Sequence, residues 1–409
     1  MVVVACCSSI ASAGHASFGC LRYEMEIVAT LNCGIGGDFS PFGLAEDGTV
    51  AGGVACGFDN DILFPFISSE SGYSLLPMPP GFPYGRAWGV NDAGFVAGHM
   101  HPDSSGFPAR AFLYDGRSVV DLGTLPNAQH SYAYAISDES PPTVVGLASF
   151  PISPRAVRWV NGAIEQLILP MGPNSVAADI SPNGHIAGWM GVSQAIGPTS
   201  GFIWHEGRVT TLPPLPGAYA CEARAVNDLG DACGTCRFTV RGSGIPLRRA
   251  VLWKDGVPIN LGVLPGEYHS DATDLATDGT VIGFCTSLGG SVGGAFVWRN
   301  GEMAEMTQFI DGPEGFGFGR GDAINDAGQI TTVGGMSGED TLYAIRLTPV
   351  PPLLGDLTCD WSVDGADLAI LLGAWGPVGT DANPSADLDA DGDVDGADLA
   401  MLLGAWTGS

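Results

Sequence analysis

Positive charge is what this chain has least of. Of 409 residues only 16 are Lys or Arg, against 44 Asp or Glu, and the formal net charge is −28. A polyanion would be repelled, which argues against nucleic acid and anionic membrane surfaces as partners. Long apolar runs are missing too. None reaches the roughly 18 residues that a membrane span requires, although hydrophobic residues make up 45% of the chain and suffice for a core. Familiar catalytic signatures are absent: there is no P-loop, no G-x-S-x-G elbow and no H-E-x-x-H. Acids such as Asp103, Glu139 and Glu165 lie outside any regular pattern. Nothing in the sequence pairs them as glycoside hydrolysis requires.

Glycine is abundant, with 61 residues, and proline adds 29. Spread between short apolar runs, they predict many strands joined by tight turns. The runs repeat. Aligned on the apolar residue before an Asn/Asp/Gly-rich turn, the copies fall at Leu44, Val90, Ile136, Ile180, Val226, Leu275 and Ile324, with steps of 44–49 residues. That is the period of a propeller or repeat array.

Each copy has one grammar. A strand such as Ala87–Val90 meets a turn such as Asn91-Asp92-Ala93-Gly94, whose side chains cap their own backbone. A second strand often ends in Gly, as at Gly98, Gly188, Gly234 and Gly283; the last copy has Thr332 instead. A third strand reads Ala156-Val-Arg-Trp159 or Ala250-Val-Leu-Trp253, and Asn161-Gly162 or Asp255-Gly256 turns it into a fourth. Near-continuous apolar strands are expected where both sheet faces are covered, as in a propeller blade. The expectation is an all-β seven-bladed β-propeller over residues 17–348. The last copy lacks its fourth strand, and Tyr23–Leu31 is expected to supply it and close the ring. The A-x-x-[IV]-N-D-x-G core resembles the HAF-repeat family of extracellular repeat proteins. The resemblance implies secretion and a propeller-like shape and carries over no catalytic residue.

After a Pro-rich linker at 349–354 the composition changes. Residues 355–409 hold eleven Asp and no Lys or Arg. Two copies of one motif lie 31 residues apart, Asp356–Asp367 and Asp387–Asp398, each followed by an apolar helix, Leu368–Trp375 and Leu399–Trp406. A twelve-residue calcium loop takes ligands from positions 1, 3, 5, 7, 9 and 12, with Gly at 6. In the second copy these are Asp387, Asp389, Asp391, Asp393, Asp395 and Asp398, with Gly392 at 6; Asp393 serves through its carbonyl. In the first they are Asp356, Thr358, Asp360, Asp364 and Asp367, with Trp361 in place of Gly. The expected cofactor is Ca²⁺, held more weakly by the first loop. The tandem loop–helix pattern resembles a type I dockerin and thus a small C-terminal helical domain. That resemblance implies a cohesin-like partner, but Gly365-Ala366 and Gly396-Ala397 replace the hydroxyl pairs that many dockerins carry at loop positions 10 and 11.

The first 16 residues, apolar and then small, resemble a secretory signal without its basic start. Export would permit disulfides among Cys20, Cys33, Cys56, Cys221, Cys233, Cys236, Cys285 and Cys359, with pairing left open. Cys233-Gly-Thr-Cys236 suggests a structural disulfide or two buried thiols. His99 and His101 would share a strand face, where a metal is conceivable, and His205-Glu206 is expected in a solvent-facing turn. The series Tyr114, Trp159, Trp204, Trp253 and Trp298 is expected to pack between blades, with a sugar-stacking ring as the alternative. The functional expectation is a secreted, non-catalytic propeller that binds a glycan or protein and is attached to a partner by its calcium-dependent tail. The alternative is a glycoside hydrolase or polysaccharide lyase with its active site on the propeller face.

Overall fold

The computed structural model describes residues 20–30, 37–56, 63–69, 72–103, 105–151, 153–192, 198–240, 245–290, 292–310, 312–313, 315–336, 342–378 and 386–407. The candidate signal segment, Cys33 and the side chain of Cys56 lie outside that description. Two compact units emerge. One comprises Met25–Thr307 and Gly312–Thr348; the other comprises the described part of Met1–Glu24, Gln308–Asp311 and Pro349–Ser409. No described helix is long and apolar enough to cross a membrane.

The first unit is a seven-bladed β-propeller of seven four-stranded antiparallel sheets. Blades 1 to 6 are consecutive meanders; blade 2, for example, is Tyr84–Val90, Val96–His101, Arg110–Tyr114 and Val119–Asp121. Blade 7 takes three strands, Phe316–Ile324, Ile330–Met336 and Tyr343–Pro349, and its outermost strand is the N-terminal Tyr23–Thr30. The expected closure by the opposite end of the chain is therefore present.

The repeated residues have local reasons. Gly98, Gly188, Gly234 and Gly283 lie where a Cβ would sit 2.0–2.2 Å from the carbonyl oxygen of the neighbouring inner strand. Blade 7 tolerates Thr332 because its inner strand carries a second bulge, between Phe318 and Arg320, and the Thr332 hydroxyl donates to the Arg320 carbonyl at 2.6 Å. At the outer hairpins Asn161-Gly162, Asp255-Gly256 and Asn300-Gly301 both residues have positive φ, the type I′ geometry that matches strand twist.

The Asn-Asp turn joins blade to blade. The Asn91 side chain accepts from Phe95 N–H within its own turn at 3.0 Å and donates to the Ser137 carbonyl of the next blade at 2.9 Å. Asn227 reaches the Ala276 carbonyl, and Asn325 reaches Ala45 at 2.9 Å, from blade 7 back to blade 1. The following carboxylate accepts a turn N–H of the preceding blade: Asp138 from Asp92, Asp228 from Asn183, Asp326 from Thr277 and Glu46 from Asp326.

Apolar clusters lie between successive blades and include Trp159 and Trp253, each at most 1% exposed. Trp253 also donates to the Pro213 carbonyl at 2.7 Å. The third-strand aromatics thus pack between blades. The CxxC reading is corrected: Cys236 pairs with Cys221 across two strands, and Cys233 is a buried free thiol. Residues three apart on a strand point to opposite faces, so Cys233 and Cys236 cannot meet.

The second unit is built on a duplicated loop–helix. Helices α1 (Gly365–Gly373) and α2 (Gly396–Gly404) each begin in a capping box, Asp364 with Asp367 and Asp395 with Asp398. They start three residues earlier than the apolar pattern implied, because the loop's ninth residue is the N-cap. Val363, Leu371, Ala386, Val394 and Leu402 form the core. The N-terminal segment belongs to this unit: Cys20 is disulfide-bonded to Cys359, and the Arg22 guanidinium lies 4.7 Å from the centre of the Trp361 ring.

Asn325→Ala removes a buried donor at the junction of blades 7 and 1, and about 1–3 kcal/mol of propeller stability is expected to go with it. Urea unfolding of the full chain checks this, with Leu229→Ala, at a residue 67% exposed, as the near-neutral control.

Candidate functional site

A β-bulge at the same place in every inner strand leaves one residue out of the ladder, and that residue lines the central channel. Two residues before each repeat anchor stand Phe42, Trp88, Tyr134, Ala178, Arg224, Thr273 and Asp322, in blade order, and all seven line the cavity there. The break is directional. Blades 1 to 3 present aromatic rings, and blades 5 to 7 present charged or hydroxyl groups. Between them opens a cavity of about 690 Å³ at the channel mouth.

The aromatic arc is tightly built. Phe42 and Trp88 have ring centres 4.1 Å apart, and Tyr134 meets Trp88 edge-on at 5.8 Å. Trp88 is oriented from behind, since its Nε1–H donates to His99 Nδ1 at 2.9 Å. Burial, with His101 and Arg86 nearby, pushes His99 down to about 3, so it stays a neutral acceptor at physiological pH. Through Nδ1 it holds Trp88 in place. Trp189 adds a fourth ring to the lining.

The charged arc is a network. Asp271, buried, accepts from Arg248 at 2.8 Å and from Thr235 at 3.0 Å, with Arg224 at 4.0 Å. Glu222 is paired bidentately with Arg237, and Arg320 with Asp322. Asp179 and Asp274 directly follow the bulge residue of blades 4 and 6 and accept the Val226 and Ile324 N–H groups of the next blades at 2.8 Å. Burial raises both carboxyls, Asp179 to about 6, and the charge of Asp179 raises Asp274 further. The rim above carries the turn carboxylates Glu46, Asp138, Asp228 and Asp326.

The tail holds a second candidate site. In the first loop, oxygens of Asp356, Asp360 and Asp367 lie within 4.8 Å of one another; in the second, those of Asp387, Asp389 and Asp391 do. Thr358 Oγ1 donates to Asp367 at 3.0 Å. Asp364 and Asp395 are the helix N-caps, and Asp393 lies in a two-residue strand. Asp398 is buried and accepts N–H groups from Leu388, Asp389 and Asp395, which hold its carboxyl below the usual range. The loops share a backbone: Cys359 and Ala390 have φ of +59° and +58°, and Trp361 and Gly392 have +66° and +100°. An all-oxygen donor set with no basic residue in 355–409 fits a hard divalent cation.

The channel set was missed by motif reasoning, because it occupies a variable position of the repeat core. Its signal was an alignment column that changes character between blades, aromatic in blades 1 to 3 and polar in blades 5 to 7. His205 also departs from expectation: it stacks on His185 with ring centres 4.0 Å apart, while Glu206 is exposed in the turn.

No protein-family model and no curated protein matches the chain. Among solved structures it is similar to the β-propeller domain of the Trilobed protease from Pyrococcus furiosus, at 10% identity over 75% of this chain and 93% of that one, TM-score 0.47. It is similar to Pyrococcus horikoshii acylaminoacyl peptidase, at 12% identity over 76% and 52% of the chains, TM-score 0.47. A native Bacillus subtilis arabinanase matches at 10% identity over 80% and 97%, TM-score 0.30. The chain spans about half the length of the first solved chains it matches. Likeness of this degree says nothing about ligand or chemistry.

An acid raised by folding favours the folded state below its ordinary range, and that contribution is lost as pH rises through the folded value. For Asp179, flanked by Asp274, Cys233 and Arg224, the window runs from about 4 to about 6. Asp179→Asn keeps an acceptor for Val226 and is expected to exceed the parent in stability at pH 7.5 by about 1–3 kcal/mol. At pH 4 the two should converge. Denaturation at both pH values, at constant calcium, checks this.

Proposed function

We propose that this is a secreted, non-catalytic binding protein whose propeller captures a ligand at the channel mouth and whose calcium-folded tail attaches it to a partner. The observation that carries the reading is the break in repeat pattern at the channel-facing column. Repeat residues elsewhere are spent on turns and blade junctions. This column departs in a coherent way, aromatic on one side and polar on the other, around a cavity of ligand size. The HAF-like grammar supports export.

The tail reading rests on the two convergent carboxylate clusters. Calcium would be held by Asp387, Asp389, Asp391, the Asp393 carbonyl, Asp395 and Asp398 in the second loop. In the first it would be held by Asp356, Thr358, Asp360, Asp364 and Asp367. Bound calcium supplies the positive charge that these crowded carboxylates otherwise lack. Leu372 with Leu403, and Trp375 with Trp406, are exposed equivalents 31 residues apart. They give the tail a duplicated apolar face for a cohesin-like or cell-surface partner.

A second reading is carbohydrate-active catalysis, favoured by one observation: Asp179 and Asp274 both face the channel with raised carboxyls. Reducing-sugar release from polysaccharides, lost in Asp179→Asn, would establish it over the first.

Chelation is expected to unfold the tail while the propeller persists. Circular dichroism with EDTA and calcium back-titration should show loss and recovery of helical signal with the β signal unchanged. Calorimetric calcium titration should show Asp387→Ala weakening the tighter site and Asp356→Ala the weaker one, because Trp361 occupies a position that favours glycine.

A further inference from the structure

The channel mouth has a composition that discriminates among ligands. Its rings come from blades 1 to 3, where Phe42, Trp88 and Tyr134 lie side by side. The same three blades carry rim carboxylates at the turn directly above: Glu46, Asp92 and Asp138. Each accepts backbone N–H from the neighbouring blade, Glu46 from Asp326 and Ala327, Asp92 from Asp47 and Asp138 from Asp92. A carboxylate has about four lone-pair directions, so each retains capacity for a further donor.

Among the described lining residues the cations are Arg224 and Arg320, and both already face a carboxylate, Asp271 at 4.0 Å and Asp322 in direct contact. The rings also accept cations from this chain. The Arg320 guanidinium lies 5.5 Å from the Phe42 centre, and that of Arg86 lies 6.0 Å from Trp88. A ring face that attracts guanidinium attracts ammonium for the same reason, its negative quadrupole. An anionic ligand would be repelled by the rim. A neutral sugar would stack on the rings and leave the carboxylates without a counter-charge.

We propose that the channel mouth binds an organic cation, an alkylammonium or guanidinium group, with its charge at the rim carboxylates Glu46, Asp92 and Asp138 and its alkyl part against Trp88 and Phe42. The proposal rests on the reading of this channel as a ligand site and names the ligand's chemistry. A free amine and a basic side chain of a peptide share that chemistry. Burial and neighbouring negative charge raise the carboxyls of Glu46 and Asp138, as expected of a rim short of a cation. With a net charge of −28 the whole chain also steers cations inward.

The test is calorimetric titration of the full chain, at constant calcium, with butylammonium, N-acetyl-arginine amide, tetra-lysine and a neutral xylo-oligosaccharide, with Trp fluorescence in parallel. The amine and guanidinium probes are expected to bind, and to bind more weakly as salt rises. Trp88→Ala and the near-isosteric Asp138→Asn should each weaken them roughly two- to thirty-fold. Asp138→Asn keeps the bond to Asp92, so it tests the charge even if Trp88→Ala fails to fold. Tighter binding of tetra-lysine than of butylammonium assigns the site to peptides, and equal binding per charge to free amines. Absence of binding by the cations, or binding that both variants leave unchanged, overturns the proposal. If the oligosaccharide alone binds and Trp88→Ala abolishes it, the cation proposal fails while the channel remains a ligand site.

Discussion

The hydrogen bond from an Asn side chain of one blade to the main-chain carbonyl of the next is the contact on which the propeller depends. It does two things at once. The amide oxygen folds its own turn, and the amide nitrogen crosses to the neighbour. Buried donors and acceptors are costly when unpaired, so the pair fixes both turn geometry and blade spacing. The carboxylate beside it repeats the arrangement in the other direction. Asn325 and Asp326 make the same contacts with Ala45 and Glu46 of blade 1, some 280 residues away in sequence. The ring is thus closed twice, by the turn weld at its inner rim and by the strand Tyr23–Thr30 at its outer edge.

Because the repeat residues are committed to these tasks, variation is free to gather where the welds do not reach. The channel-facing column is such a place. Its residues touch no obligatory turn, and they differ from blade to blade without breaking a sheet. The result is a wall whose two halves have different chemistry. Positions behind the wall support it: a neutral His99 holds the Trp88 ring, and Asp271 gathers Arg224, Arg248 and Thr235.

The tail solves a different problem. A unit of fifty-five residues is too small to build a large core, and it compensates by symmetry and cross-linking. Val363 in the first loop exchanges hydrogen bonds with Thr407, which follows α2. Val394, its equivalent in the second loop, pairs with Gly376, which follows α1. The first loop lacks glycine at its sixth position, and there Trp361 is flanked by the Cys20–Cys359 disulfide and covered by Arg22.

Repeat period, turn chemistry and the calcium-loop spacing were legible from residue order alone. All three are local: a positive-φ glycine, an Asn–Gly hairpin or six oxygens at fixed intervals act within a dozen residues. Blade number and the closing role of Tyr23–Thr30 followed by counting. Helix starts were read three residues late, because the capping aspartates double as loop residues. What tertiary structure alone decided is which residues meet across blades. Cys236 chose Cys221 over Cys233 because strand alternation turns the nearer thiol away. The aromatic arc exists only because the packing of successive blades brings together Phe42, Trp88 and Tyr134, residues 46 apart along the chain at a variable position of the repeat. Local stereochemistry determined the blades; the distances between their inner edges determined the site.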